Sequence, residues 1–190
     1  IKRQMGGLST NTMFMWTSST SKPYKGLPQG RNFNFKNSDI DVIKRDIDGL
    51  QFVSPRNQLG GFRGSNNVVR GTKTGAYNVY GDYPEFIQQQ PMDILQGRFI
   101  NYGDINQSRK VAVIGEGVIR DLYAPGENVL GSYIKVQGIN FLIVGVYKSI
   151  SNMGGDAEES QKQVFIPFTT FQQAFNYGDV VGWMTITAKD

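Results

Sequence analysis

The sequence predicts an α+β fold in which a strand-rich middle is inserted between two strand-helix-strand units. Three observations lead to this prediction. An amphipathic helix lies between two short strands near the start, a unit of the same order closes the chain, and the middle contains a β-hairpin. With 190 residues, of which 39% are hydrophobic, the chain can bury one ordinary core or two small ones.

The first unit begins with residues 11–18, a short aromatic segment between polar residues that is typical of a buried strand. A long polar loop at residues 19–37 leads to Ser38, which is placed to cap a helix. The apolar face of this helix follows steps of three and four and is formed by Ile40, Ile43, Ile47 and Leu50. Gly49 permits the left-handed residue that ends a helix, and residues 50–55 are predicted as the next strand.

The closing unit consists of a strand at residues 163–167, a helix, and an alternating strand at residues 183–188. One side of the helix is predicted to carry Phe168, Phe171 and Phe175. The spacing of a capping box occurs twice at its start, in Thr169 with Gln172 and in Thr170 with Gln173. The two units are expected to share one sheet in a split βαβ arrangement.

The middle of the chain has more strands and shorter helices. The predicted elements are strands at 76–81 and 110–114, a helical turn at 83–87, and a two-turn helix on Val118, Ile119 and Leu122. Residues 132–136 and 139–147 flank Gln137 and Gly138, and this glycine permits the positive φ that a tight hairpin needs. Gly145, inside the second hairpin strand, predicts a bulge or a close backbone approach.

Charge supports a division into two lobes. Residues 1–73 hold 12 Lys/Arg against 4 Asp/Glu, and residues 74–190 hold 8 against 12. We therefore predict an outer lobe from residues 1–72 with 160–190, and an inserted lobe from residues 73–159. Because the sequence has no block of Lys/Arg longer than two residues, we expect no nucleic-acid partner.

Composition argues against several classes of enzyme. The sequence has no Cys and no His, which excludes disulfides, zinc-thiolate sites, thiol nucleophiles and the commonest proton-transfer side chain. Residues 111–117 look like a strand entering a glycine-rich phosphate loop, but Arg120 stands where a dinucleotide site needs a small residue. Gly115 is instead expected to start a helix. The longest apolar run, residues 141–147, falls far short of the ~20 residues of a membrane span.

Aromatic residues form one candidate interaction site. Tyr77, Tyr80 and Tyr83 are clustered with Phe86 near one strand and turn, and such groups often anchor protein interfaces. At alternating strand positions they can equally form one face of the core. Arg98, between Gly97 and Phe99, is expected to pair with a carboxylate and to hold its lobe together.

The second candidate site is the segment at residues 148–162. It contains two glycines and three acidic residues, and too few large apolar groups to order itself by burial. We predict that it faces a partner through Ile150, Met153, Asp156, Glu158 and Glu159. A plain connector between lobes is the alternative. A Ca²⁺ site is disfavoured because the acidic residues lack the alternating spacing of an EF-hand.

Residues 97–146 carry a resemblance to a known family. They contain Gly97-Arg98-Phe99, then KVAVIG at 110–115, then GSYIKVQGINFLIVGV at 131–146. This order resembles the periplasmic core domain of MacB-type ABC transporter permeases, which include the FtsX and lipoprotein-releasing branches. The resemblance implies that the outer lobe is porter-like and that the inserted small strand-rich α/β lobe is Sabre-like.

The resemblance also implies a function. The chain is expected to be an extracytoplasmic domain on the periplasmic side of the inner (cytoplasmic) membrane, between membrane helices that lie outside this sequence. The full-length permease is expected to form a homodimer with an ABC ATPase domain or subunit and to contact a periplasmic adaptor protein. ATP hydrolysis would move a periplasmic partner or substrate, and the domain itself would have no enzymatic activity and no cofactor. A lipoprotein-releasing or peptide-resistance permease and a secreted binding module remain the alternatives.

Overall fold

A computed structural model describes residues 11–60, 66–150 and 157–189. The strands are β1 (Thr12–Trp16), β2 (Phe35–Lys36), β3 (Leu50–Leu59), β4 (Val68–Arg70), β5 (Lys73–Gly75), β6 (Asn78–Asp82), β7 (Met92–Gly97), β8 (Val111–Gly115), β9 (Tyr133–Val136), β10 (Ile139–Ser149), β11 (Gln163–Pro167), β12 (Val180–Val181) and β13 (Trp183–Ala188). The helices are α1 (Asn37–Asp46), α2 (Phe86–Gln89), α3 (Tyr102–Asn106), α4 (Glu116–Leu122), α5 (Ala157–Ser160) and α6 (Phe168–Ala174). The predicted α+β class is confirmed.

Within the described residues, one 11-stranded mixed sheet runs in the order β1-β13-β3-β6-β11-β8-β10-β9-β4-β5, with β7 added beside β10. A separate pair joins β2 to β12. Strand β3 is predicted to end at Pro55 but continues to Leu59, and its two halves have different neighbours. Residues as far as Arg56 pair with β13, and residues from Asn57 onward pair with β6.

Strand pairing crosses the predicted boundary between the lobes. Strands β4 and β11 were placed in the outer lobe, yet β4 pairs with β9 and β11 pairs with both β6 and β8. The buried apolar residues nevertheless form two clusters, one around Phe141 and Phe171 and the other around Phe165 and Tyr147. The division into two lobes therefore stays a prediction, with β3 as the strand that both sides share.

The first strand-helix-strand unit is present with two corrections. Strand β1 is not buried, because it lies at the sheet edge and leaves Phe14 46% and Trp16 67% exposed. Helix α1 is not capped by Ser38. The chain enters the helix at Lys36, whose backbone N–H donates to the Asp39 carboxylate at 2.8 Å. Within the helix Ile40 is buried, whereas Ile47, just beyond its end, is exposed.

The capping box predicted for α6 is wrong. The helix begins directly after Pro167. The Thr169 hydroxyl donates to the Ile105 carbonyl at 2.6 Å, and the Thr170 hydroxyl donates to the Arg109 carbonyl at 2.9 Å. These hydroxyls therefore attach the helix to the α3–β8 connection. Phe168 and Phe171 are both buried, and each joins a different apolar cluster, while Phe175 packs against Phe171 at 5.0 Å.

The hairpin and its glycines are confirmed. Gln137 and Gly138 both have positive φ, at 43° and 84°. A Cβ on Gly145 would lie 2.0 Å from the Arg98 carbonyl oxygen, so the backbone of β10 approaches that carbonyl closely. The register of β10 also shifts on both sides of this position. Arg98 pairs with the Asp104 carboxylate at 2.6 Å, as predicted, and the Asp104 side chain is fully buried.

Candidate partner surface

The candidate partner surface is the connection between β10 and β11 together with the residues that hold its two ends. Strand directions place it at one end of the sheet: β13 runs antiparallel to β3, β3 antiparallel to β6, and β6 parallel to β11. The start of β11 therefore lies toward the same end as the start of β13. The described ends of the chain lie at the opposite end, where the Ala188 N–H donates to the Asn11 carbonyl at 3.0 Å.

The base of the connection is tied by hydrogen bonds. The Ser149 N–H donates to the Gln161 side-chain oxygen at 3.2 Å, and the Gln161 amide returns a hydrogen bond to the Ser149 carbonyl at 3.3 Å. The buried Tyr147 hydroxyl donates to the Ser160 carbonyl at 2.9 Å. Burial raises the pKa of this tyrosine, so its hydroxyl stays protonated and remains a donor. The two ends of the connection are thus tied to each other and to β10.

A chain of polar contacts leads from the core to α5. The Tyr77 hydroxyl donates to Asp121 at 3.1 Å, Lys162 lies 3.5 Å from the same carboxylate, and Lys162 also pairs with Glu158 at 3.0 Å. The hydrogen bond from Lys162 lowers the pKa of Glu158 and raises that of Lys162. The pKa of Tyr77 is raised, first by burial and then by the Asp121 charge. The negative charge of Glu158 and the positive charge of Lys162 therefore persist at neutral pH.

The residues predicted from sequence are distributed unevenly over this surface. Glu158 and Glu159 are exposed on α5, and Glu159 accepts a hydrogen bond from Asn78 at 3.4 Å. Ile150 is 54% exposed beside the base of the connection. Met153 and Asp156 lie outside the described residues. The structure brings Tyr77 and Glu158 into one network, which the sequence analysis did not foresee.

The aromatic cluster belongs mainly to the interior. Tyr80 is buried and stacks on Phe165 at 5.9 Å, and the body of Tyr77 is also buried. Tyr83 is half-buried and meets Phe168 edge to face at 5.5 Å. In this conformation Tyr77 and Tyr80 offer a partner little surface, because each is packed into one of the two apolar clusters.

Sequence reasoning missed the residues that hold the surface in place: Tyr147, Gln161 and Lys162 on the connection's base, and Asp121 on α4. One of these contacts had a visible pattern, because Glu158 and Lys162 are spaced as an i,i+4 ion pair. The other contacts join residues far apart in the chain. No group of three or more acidic side chains that could hold a metal ion occurs in the described part of the chain.

Together these features define a strand-rich domain whose described ends meet at one end of a mixed sheet while an anchored, charged connection lies toward the other. Among the described residues, no helix has the length and apolar character needed to cross a membrane. The chain belongs to the family of MacB-like periplasmic core domains, whose family model matches residues 1–190.

Curated relatives agree with this assignment. The chain is 26% identical over its whole length to a macrolide export ATP-binding/permease protein MacB of Aggregatibacter actinomycetemcomitans, of which it spans 28%. It is 28% identical to a pyoverdine export ATP-binding/permease protein PvdT of Pseudomonas putida, of which it spans 27%. The chain therefore covers about a quarter of these relatives' length.

Solved structures share the fold. The periplasmic region of MacB from Actinobacillus actinomycetemcomitans matches with a TM-score of 0.75 at 23% identity, covering 97% of this chain and 77% of that one. The extracellular domain of the noncanonic ABC-type transporter YknZ from Gram-positive bacteria also matches with a TM-score of 0.75, at 14% identity, covering 95% of this chain and 84% of that one. The motif-based resemblance of residues 97–146 is thus confirmed.

Proposed function

We propose that this chain is the extracytoplasmic domain of an ABC permease that couples cytoplasmic ATP hydrolysis to movement of a periplasmic partner or substrate. The observation that carries the proposal is the meeting of the two described ends. Thr12 lies opposite Thr187 in the β1–β13 pair, so the two described ends of the chain lie side by side. This arrangement suits a domain that is carried between two membrane helices.

The position of the candidate partner surface fits such a role. It lies toward the end of the sheet away from those flanking segments, where a membrane-anchored domain reaches farthest from the bilayer. Strand β3 pairs with β13 in one part and with β6 in the other, so one sheet joins the two ends, and a packed sheet transmits displacement with little internal change. We infer that movement imposed near Asn11 and Lys189 is delivered at the connection between β10 and β11.

The proposed assembly is the one that the resemblance to MacB-type permeases implies. The full-length permease is a homodimer in the inner membrane, an ABC ATPase domain or subunit lies in the cytoplasm, and a periplasmic adaptor contacts the partner surface. The names of the curated relatives support an export permease. This domain has no enzymatic role in the proposal.

Because the chain has no cysteine, the proposal can be tested by site-directed labelling. Tyr133, 58% exposed on β9, is replaced by cysteine in a full-length permease from which other cysteines have been removed. A spin label there reports the distance between the two copies. We expect the distance distribution to change when ATP is added and to be trapped by vanadate. A distribution unchanged by nucleotide, in a permease that hydrolyses ATP, would contradict the proposed coupling.

A further inference from the structure

A polar groove of about 580 Å³ lies where α1, α3 and α6 converge, away from the partner surface. Its volume falls within the range of about 300–1,000 Å³ that is usual for ligand sites. We name it the amide groove, because its lining includes five carboxamide side chains: Asn37, Asn106, Gln172, Gln173 and Asn176. None of the side chains that line it carries a charge.

One wall of the amide groove is fixed by its own hydrogen bonds. The Asn37 amide donates to the Gln172 oxygen at 3.1 Å, and the Gln172 amide donates back to Asn37 at 2.8 Å and to the Val180 carbonyl at 3.0 Å. This reciprocal pair joins α1 to α6. The Thr169 hydroxyl, which also lines the groove, holds α6 to the Ile105 carbonyl. The groove is therefore built on elements whose spacing is set by the fold.

The remaining polar side chains of the groove are available to a ligand. Asn106, Gln173 and Asn176 are exposed, and within the described part of the chain their side chains form no hydrogen bond. Ser108 and Asn176 both line the groove with positive φ, at 46° and 56°, a conformation that is uncommon for residues other than glycine. Such backbone positions tend to occur at ligand-binding sites.

The chemistry of the lining selects the ligand. A charged ligand would meet no opposite charge among the lining side chains. An apolar ligand or peptide side chain would find only Tyr83 and Ile105 as large apolar surfaces. Each carboxamide both donates and accepts hydrogen bonds, which matches hydroxyl groups that do the same. Tyr83 and Ile105 add a small apolar surface beside the amides, against which the C–H groups of a sugar can pack.

We propose that the amide groove binds a neutral saccharide chain. This proposal does not depend on the proposed transport function, because the amide groove lies on a different surface from the connection between β10 and β11. Neutral trisaccharides serve as probes: maltotriose, and the N-acetylglucosamine trimer.

The proposal is tested by titrating the ¹⁵N-labelled 190-residue chain with each trisaccharide and following side-chain amide signals by NMR. We expect saturable shifts of the Asn106, Gln173 and Asn176 amides with at least one trisaccharide, with a Kd of about 1 mM, as for a weak open site. Replacing Asn106→Ala together with Gln173→Ala should weaken binding at least about tenfold, because two hydrogen-bonding groups are lost.

Two further variants separate binding from folding. Asn176→Gly keeps a residue that tolerates positive φ but removes the carboxamide, so it should also weaken binding. Gln88→Ala removes an exposed amide on α2, outside the groove, and should change nothing. Absence of saturable shifts with either trisaccharide would overturn the proposal. Saturable shifts of the same amides with acetyl-tetraglycine-amide, and none with the sugars, would overturn it in favour of a peptide site.

Discussion

Arg56 and Asp82 form a bidentate ion pair at the point where β3 changes its neighbour. Both contacts, Nε to Oδ1 and Nη2 to Oδ2, are 2.7 Å long, and the Asp82 side chain is fully buried. The guanidinium also lies 3.7 Å from the Phe86 ring centre and 4.0 Å from that of Tyr80. Because Arg56 is the last β3 residue paired with β13, this contact connects the two parts of the sheet.

Asp82→Asn should destabilise the chain by about 3 kcal/mol, because it leaves the Arg56 charge largely buried without a partner. Urea unfolding followed by circular dichroism measures the change. Glu127→Gln is the matched control, since it removes the carboxylate partner of Arg70 in a more exposed ion pair and should cost at most about 1 kcal/mol. Equal losses for the two variants would contradict the importance of the Arg56–Asp82 pair.

Gly145→Ala should cost about 2–3 kcal/mol, because the new methyl group would overlap the Arg98 carbonyl oxygen and that backbone cannot move freely. Gly138→Ala is the control. Gly138 has a φ of 84° but open space around it, so alanine there meets backbone strain of about 1 kcal/mol and no overlap. Thermal unfolding of both variants compares the two effects, and a smaller loss at Gly145 than at Gly138 would show that β10 adjusts easily.

The pH dependence of stability should reflect Asp104. Burial raises the pKa of this carboxyl, but hydrogen bonds from Arg98 and the Asn101 N–H, with the charges of Arg98 and Arg109, outweigh it and leave the pKa below its ordinary value of 3.8. A group with a lowered folded pKa stabilises the protein above its unfolded pKa. That contribution is lost as the pH falls below 3.8 through the folded value.

Asp104→Asn should therefore lower stability at neutral pH and flatten the acid limb of the stability curve. Urea unfolding at a series of pH values measures this. Asp93→Asn, which alters an exposed carboxylate on β7, is the control and should leave the acid limb close to that of the parent. An unchanged acid limb in Asp104→Asn would contradict the assignment.

Local patterns predicted much of the fold, and long-range contacts account for the rest. The hairpin turn at Gly138 and the close approach at Gly145 follow from what glycine alone permits. The apolar residues of β1 predicted a buried strand, and this was wrong. Only the sheet order shows that β1 lies at an edge. Thr169 illustrates the same limit, since its hydroxyl binds the Ile105 carbonyl rather than capping its own helix.

The candidate sites show the same division. The acidic, glycine-containing composition of the connection between β10 and β11 was visible in the sequence. Gln161, which ties its base, was not distinguishable from any other polar residue. The amide groove is assembled from α1, α3 and α6, and no local spacing links Asn37 to Asn106 or Gln173.

The isolated chain should bind no nucleotide. Its sequence contains no G-x-x-x-x-G-K-[ST] loop, and although β10 runs parallel to β8, Arg120 in α4 stands where a dinucleotide-binding loop needs a small residue. Calorimetric titration with ATP and magnesium should give no heat beyond dilution. Micromolar binding would contradict the view that this domain has no enzymatic role.

Replacing residues 152–160 by a Gly/Ser linker of equal length should separate stability from function. The exposed acidic side chains of α5 are lost, but the Tyr147 hydroxyl can still donate to a backbone carbonyl at position 160. The melting temperature should therefore stay within a few degrees, because Glu158 and Glu159 are exposed and the contact of Tyr147 is kept. In the full-length permease, transport or resistance should fall, since an adaptor would lose its contact surface.

A charge-only variant identifies which property of the connection matters. Glu158→Gln with Glu159→Gln retains the length and local hydrogen-bonding capacity of α5 but removes both charges, and it breaks the ion pair with Lys162. If the partner recognises charge, this variant should reduce transport or resistance as much as the linker replacement does. The parent permease should show a similar reduction at high salt, because salt screens exposed charges. Full function in both variants would mean that the connection only joins β10 to β11, and the partner surface would then have to lie elsewhere on the domain.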